Sequence, residues 1–392
     1  MKYALVLLFF ILNCSRNDEA SAASSNSSGC VPTRQAGRSS NCALTLSLTV
    51  DTLAGPSQGT AASGDTDGTG SAARFNAVTG VTTDGQNIYS TDYFGHKIRK
   101  TVISSGVVST LAGPGPGTSL SGDVDGIGEA ARFSSMRAIT TDGTNLYVAD
   151  NSNNKIRKIV IASRAVTVLA GPAAGDTTSG DTDGTANDAR FNNPQGIVTD
   201  GTNLFVADSL NRKVRKIVIA SGIVSTLAGP AQGVTGSGDT DGSANTARFG
   251  LPGAMTTDGV NLYLCDSSNH KIRKIVIATG EVITLAGPAQ GTTTSGDTDG
   301  TGNSARFNNP LGITTDGTSL YVADTSNQKI RKIVIATGAV TTVAGPAQGA
   351  TTSGDTEGVG TSARFFNPHG ITTDGYRLFV GEYWNHKIRR IN

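Results

Sequence analysis

The tripeptide Leu-Ala-Gly, or once Val-Ala-Gly, begins at Leu53, Leu111, Leu169, Leu227, Leu285 and Val343, every interval being 58 residues. A period held through six copies without a slip confines a chain to repeat architectures, in which each copy buries its apolar face against the next. Two further markers keep the same register. Ala-Arg-Phe places its arginine at Arg74, Arg132, Arg190, Arg248, Arg306 and Arg364, and Asp-Gly starts at Asp84, Asp142, Asp200, Asp258, Asp316 and Asp374. Residues 44–392 are six units and almost nothing else.

Within a unit, GITTDG is a short segment ending in a turn and NLYVAD an apolar strand. KIRKIVIA is a β-branched strand, and GxVxTLAG a fourth after a glycine turn. With 50 glycines and only 16% charged residues, the composition suits short strands and tight turns better than helices. Four antiparallel strands per unit make a propeller blade, so the expected fold is all-β, a six-bladed β-propeller. The period exceeds the WD40 spacing, and no Gly-His…Trp-Asp signature occurs. Residues 43–55 (ALTLSLTVDTLAG) read as an orphan fourth strand, while the last unit stops at KIRRIN, so the N-terminal strand is expected to complete the last blade. The long connection between units repeats with one apolar anchor, which should place Phe75, Phe133, Phe191, Phe249, Phe307 and Phe365 between blades.

The units resemble NHL repeats. The resemblance is carried by DGTGNSARFNNPLGITTDGTSLYVADTSNQKIRKI (residues 299–333), by Asn-His-Lys at 269–271 and 385–387, and by all six copies. It implies the propeller fold strongly and an activity only weakly, because one fold hosts many functions. Some NHL proteins bind RNA, and some NHL-type propellers are enzymes, such as peptide-amidating lyases with metal-binding histidines at the channel.

The N-terminus sets the compartment. Lys2 is followed by apolar residues from Ala4 to Leu12, the length of a signal-peptide core and too short to cross a bilayer. The run ends at Asn13-Cys14 before the polar SRNDEASAASSNSSG, and resembles a bacterial lipoprotein signal with Cys14 lipidated. Asn13 departs from the usual small residue there, and ordinary cleavage to a periplasmic or secreted protein is the alternative. The expected organisation is a signal peptide at 1–13, a Ser/Asn/Ala-rich tether at 14–43 and the propeller at 44–392. Outer-membrane or cell-surface exposure makes a Cys30–Cys42 disulfide chemically accessible, and Cys265 reads as a buried apolar substitute. A net charge of +1 supplies no field for nucleic acid, so nucleic acid is not an expected partner and the membrane is engaged only through the lipid.

The recurring SGDTDG (Asp65/Asp67, Asp181/Asp183, Asp239/Asp241, Asp297/Asp299, with Asp123/Asp125 and Asp355/Glu357 as variants) clusters carboxylates as a calcium loop does, but lacks the later bidentate glutamate. Tight-turn chemistry accounts for it, so no cofactor is expected and calcium is the alternative. The arginines of Ile-Arg-Lys, such as Arg157, share a strand face with isoleucines and need a carboxylate such as Asp150. His96, His270 and His386 occupy one repeat position in blades too far apart to share a metal ion, and no catalytic serine, zincin or paired-cysteine motif occurs.

The copies disagree most at two places. Before the small residue that opens the inner strand stand Thr79, Arg137, Gln195, Gly253, Leu311 and His369, a ring of unlike residues at one channel mouth. The loop between second and third strands is polar in most copies but reads DYFGHK in the first and EYWNHK in the last. Closure makes those copies neighbours. Tyr93, Phe94, Tyr383 and Trp384 would then form one aromatic patch with His96 and His386 at its flanks and Arg137, Gln195 and His369 beside it. The alternative is that these aromatics seal the seam. The expected function is a non-enzymatic binding, adhesion or scaffold module of the bacterial envelope that takes a protein or carbohydrate ligand on the top face. A lyase or a lactone or ester hydrolase on the same fold, and a purely structural lipoprotein, are the alternatives.

Overall fold

The structure is a computed structural model and describes residues 43–392. The signal peptide, Cys14, the Cys30–Cys42 disulfide and all of the tether but Ala43 lie outside the described residues. Six antiparallel sheets are arranged as a closed six-bladed propeller. Blade one runs from an inner strand, Val78–Thr83, through Asn87–Asp92 and Lys97–Val102 to an outer strand, Val107–Ala112. A two-residue strand, Gly68–Thr69, adds to its outer edge, so five of the blades carry a fifth short strand beyond the four expected. Blade four has only a single bridge there, Gly242 to Val282.

Each strand type follows from its burial. Second strands such as Asn145–Asp150 are sandwiched between neighbouring blades, so Leu146, Tyr147, Val148 and Ala149 are all fully buried and a nearly continuous apolar run is required. Inner strands approach one another around the axis so closely that a Cβ on Gly312 would lie 1.9 Å from the His369 carbonyl oxygen, and one on Gly196 would lie 2.1 Å from that of Gly253. That contact explains the small residue opening each inner strand. Closure is as the repeat phase requires: Thr49–Ala54 pairs with Lys387–Ile391, with Val50 opposite Ile391 and Asp51 opposite Arg390.

All six Ala-Arg-Phe phenylalanines are fully buried. Phe133 packs with Tyr89, Ile98 and Leu111 of blade one and with Ile139, Leu146 and Val148 of blade two, so it seals the seam between them. Each such burial contributes on the order of 2 to 3 kcal/mol. The third-strand arginine caps the ring, Arg157 lying 5.1 Å from the Phe133 centroid, and the same pair recurs in every blade.

The buried charges form a sixfold network. Arg157 Nη1 meets Asp150 at 3.0 Å, with both side chains fully buried, as the strand pattern requires. Its Nη2 meets Asp125 at 2.6 Å, and the neighbouring Lys155 pairs with Asp123. The aspartates of the SGDTDG loops therefore do more than shape turns. They neutralise one lysine and one arginine per blade, a role that turn and cation chemistry had both left out. Blade six departs: Glu357 turns to the Thr52 amide at 2.9 Å, and Arg389 keeps Glu382 at 3.2 Å and Asp355 at 3.4 Å. Cys265 is fully buried, and burial pushes its thiol well above the ordinary range.

Candidate functional site

Blades two to five share one device at their seams. The residue after the second strand donates a side-chain hydrogen bond to the proline carbonyl that opens the next blade's inner strand. Asn151 reaches Pro194 at 3.1 Å, Ser209 reaches Pro252 at 2.5 Å, Ser267 reaches Pro310 at 2.7 Å and Thr325 reaches Pro368 at 2.8 Å. A 3-10 turn shapes the loop in each of these blades. In blades one and six the position holds Tyr93 and Tyr383, the 3-10 turn is absent, and the residues opening the facing inner strands are Met136 and Val78 instead of proline. Neither tyrosine hydroxyl makes such a bond among the described residues; at the first of these seams Thr79 Oγ1 bonds the Met136 carbonyl instead, at 2.9 Å. Both loops that abandon the clip flank blade one.

Closure brings the two loops together. Tyr93 and Tyr383 have ring centroids 5.9 Å apart, Phe94 lies 4.9 Å from Tyr93 and 5.8 Å from Tyr383, and Trp384 lies 4.7 Å from Tyr383. Phe94 is 40% exposed and Trp384 44%, so the cluster presents an open apolar face. Phe366 extends it, 6.3 Å from Trp384 and 38% exposed. Sequence reasoning missed Phe366, although the doubled phenylalanine after Arg364, where other copies carry Asn, Ser or Gly, was its signal.

The cluster runs into the channel mouth. Arg137 lies 4.9 Å over the Tyr93 ring, and its Nη1 is 3.3 Å from His369 Nε2. His369 Nδ1 is 3.1 Å from the Thr79 carbonyl oxygen, which can only accept, so Nδ1 carries the proton and Nε2 accepts from Arg137. His369 also stacks on Tyr383 at 6.2 Å. Burial, helped by the Arg137 charge, lowers the His369 pKa to about 3, so the ring is neutral. Thr79 and His369 are buried, not solvent-facing; Gln195 is half-buried and donates to Asn193 Oδ1 at 2.8 Å. Gly253 and Leu311 leave the opposite side of the ring without a side-chain hydrogen-bonding group. The axial void beneath measures about 50 Å³ and is lined by no acidic residue. Ligand pockets run to roughly 300 Å³ or more, so a sizeable ligand must sit on the rim.

His96 and His386 have a different task. Both are left-handed, at φ 54°, and accept through Nδ1 from a backbone N–H of the next blade, His96 from Ser135 at 3.2 Å and His386 from Ala77 at 3.0 Å. Asn154, His270 and Gln328 do the same from the equivalent position, whereas Arg212 there donates to the Gly250 carbonyl, so five of the six copies clip the next blade with an acceptor. Burial lowers both histidines, keeping them neutral acceptors. Among the described residues, no group of His, Cys, Asp and Glu is arranged to hold a metal.

No family model matches the chain. The sequence is 28% identical over 284 residues to NHL repeat-containing protein 2 of Gallus gallus, covering 66% of this chain and 38% of that protein. The Homo sapiens protein of the same name is 28% identical over 271 residues, covering 63% of this chain and 37% of its own. The matched stretch thus spans little more than a third of these curated relatives. Among solved structures, a protein of unknown function from Bacteroides thetaiotaomicron superposes with a TM-score of 0.64 at 22% identity, covering 88% of this chain and 75% of that one. An auxiliary nutrient binding protein from the same organism gives 0.63 at 17% identity, covering 88% and 76%. These two likenesses are of fold.

Proposed function

Taking the chain as an NHL-repeat propeller, we propose that it is a non-enzymatic binding module of the bacterial envelope. Its ligand, a protein or a carbohydrate, docks where blades six, one and two meet. One observation carries the reading. The two loops that give up the seam clip used by the other four carry Tyr93, Phe94, Tyr383 and Trp384, and they are the two loops that closure makes neighbours. A ring that closes four seams with small polar residues has no structural need of exposed aromatics at the fifth and sixth, whereas large apolar faces with a polar border are what recognition uses.

Recognition also suits the polar groups better than catalysis does. A general base needs a free lone pair near a reacting proton, and both His369 nitrogens are engaged, one donating to Thr79 and one accepting from Arg137. The auxiliary nutrient binding proteins that share the fold supply an analogy for an envelope role, and Cys14 would supply the anchor. Capture on a panel of glycans and extracellular proteins tests the reading. Phe94→Ser and Trp384→Ser should lose capture, while Leu210→Ser, which removes an exposed apolar residue from the same loop of blade three, should not. Equal capture by all three variants would refute the site.

A further inference from the structure

The third-strand arginine and the lysine that opens that strand are paired with carboxylates in every blade, yet Arg137, the one arginine at the channel mouth, forms no ion pair among the described residues. Its guanidinium is nevertheless held in place, against the Tyr93 face and by the lone pair of His369 Nε2. Among the described residues its Nη2 makes no hydrogen bond; its buried Nε is unpartnered too, as are those of five third-strand arginines, so the Nη2 is what sets it apart. An oriented, half-buried cation with its Nη2 donors unused is an incomplete interaction, and an oxyanion completes it.

We propose that Arg137 makes this face selective for a carboxylate, and that the ligand is an acidic glycan whose sugar ring lies on the aromatic cluster while its carboxylate meets the guanidinium. The inference rests on the binding-face reading and names its ligand class. Three observations favour it. The void beside Arg137 is small, about 50 Å³, which leaves most of a sugar to lie on the aromatics outside. The aromatic faces are broad and mutually tilted, at 52° between Tyr93 and Tyr383 and 79° between Tyr383 and Trp384, a surface that the C–H face of a sugar can stack on without a pocket.

The amides of the aromatic residues are already spent, which argues against an extended peptide that would accept from them. Tyr93 N–H donates to the Ala77 carbonyl at 2.9 Å, Phe94 N–H to Asn76 at 3.0 Å, Tyr383 N–H to Asn367 at 3.1 Å and Trp384 N–H to Phe366 at 3.4 Å.

Trp384 is the only tryptophan in the chain, so its fluorescence reports on this face alone. Trigalacturonate should shift its emission, with an affinity that falls as salt is raised, and the methyl ester of the same oligosaccharide should bind at least about tenfold more weakly, the loss of one charged hydrogen bond. Arg137→Gln should abolish the difference between acid and ester while leaving the melting temperature near that of the parent; Arg137→Lys, keeping charge without the planar fork, should fall between. Equal binding of acid and ester overturns the carboxylate claim and leaves the binding face standing. A response to a C-terminal peptide acid but not to trigalacturonate overturns the glycan assignment. Silence toward trigalacturonate while another ligand is still captured in a Trp384-dependent way overturns this inference alone, and capture indifferent to Trp384→Ser removes the face itself.

Discussion

Replacing Arg157 by methionine removes one charge from the most deeply buried pair in blade two. The guanidinium lies 3.0 Å from Asp150, 2.6 Å from Asp125 and 3.6 Å from Asp123, and also donates to the Arg132 and Val124 carbonyls. Methionine fills much of the volume, so the dominant cost is the carboxylate left behind. Breaking a buried pair from one side costs about 3 to 5 kcal/mol. For a domain of about 350 residues, unfolding entropy near 2.1 cal/mol/K per residue turns that into a fall of roughly 4 to 7 °C in melting temperature. The pH dependence gives the sharper test. Burial holds Asp150 up at about 6 even with Arg157 present, and without it the folded protein keeps the proton to still higher pH. The unfolded chain releases that proton near 3.9 and the folded parent near 6, so parent and variant share the same proton-linked cost between those values, and the variant's deficit widens only above about 6, by at most about 1.4 kcal/mol per pH unit. Differential scanning calorimetry at pH 8 and pH 5 should show a larger deficit at the first than at the second. Asp150→Asn in the same chain should recover part of it. Arg389→Met should cost less than Arg157→Met, because Arg389 keeps only the longer contacts of blade six. A deficit independent of pH, or equal in both blades, would refute the reasoning.

Blade one buries Thr101 where the other copies carry isoleucine, and its Oγ1 has no partner among the described residues, so Thr101→Val should stabilise by about 1 kcal/mol in urea unfolding. With a pKa lowered to about 3, His369 should show no titration between pH 5 and 8 by NMR; its contribution to stability is present above about 6.5, the pKa of the unfolded residue, and is lost as pH falls. Chelation should leave the melting temperature unchanged, because the SGDTDG carboxylates already face Lys97, Arg99 and their counterparts; a drop restored by calcium would assign these loops to a metal.

The propeller was legible because its evidence is periodic. A register of 58 residues fixes blade number and closure, and buried phenylalanines and glycines repeat with it. The pairing of Arg157 with Asp150 was legible too, seven residues apart on adjacent strands. Its second partner, Asp125, was not, because it lies 32 residues away with the blade's inner and second strands between, and only the folded connection lays SGDTDG against the third strand. The aromatic cluster could be placed from ring closure alone, yet its bond to the channel through His369 and Arg137 depends on side-chain directions that periodicity does not give. His96 and His386 stand out as histidines, but the position tolerates Asn and Gln because any acceptor there clips the next blade.

The central claim is that the first and last loops gave up a structural clip to make a binding face. Rewriting both loops toward blade two, with Tyr93→Asn, Phe94→Ser, Tyr383→Asn and Trp384→Ser, tests it in one protein by measuring melting temperature and ligand capture together. The account predicts a melting temperature equal to or above the parent's, since the seam clip of Asn151 becomes available at both sites, and capture lost. A melting temperature lowered by many degrees with capture intact would contradict it, and would make these aromatics the seal of the ring.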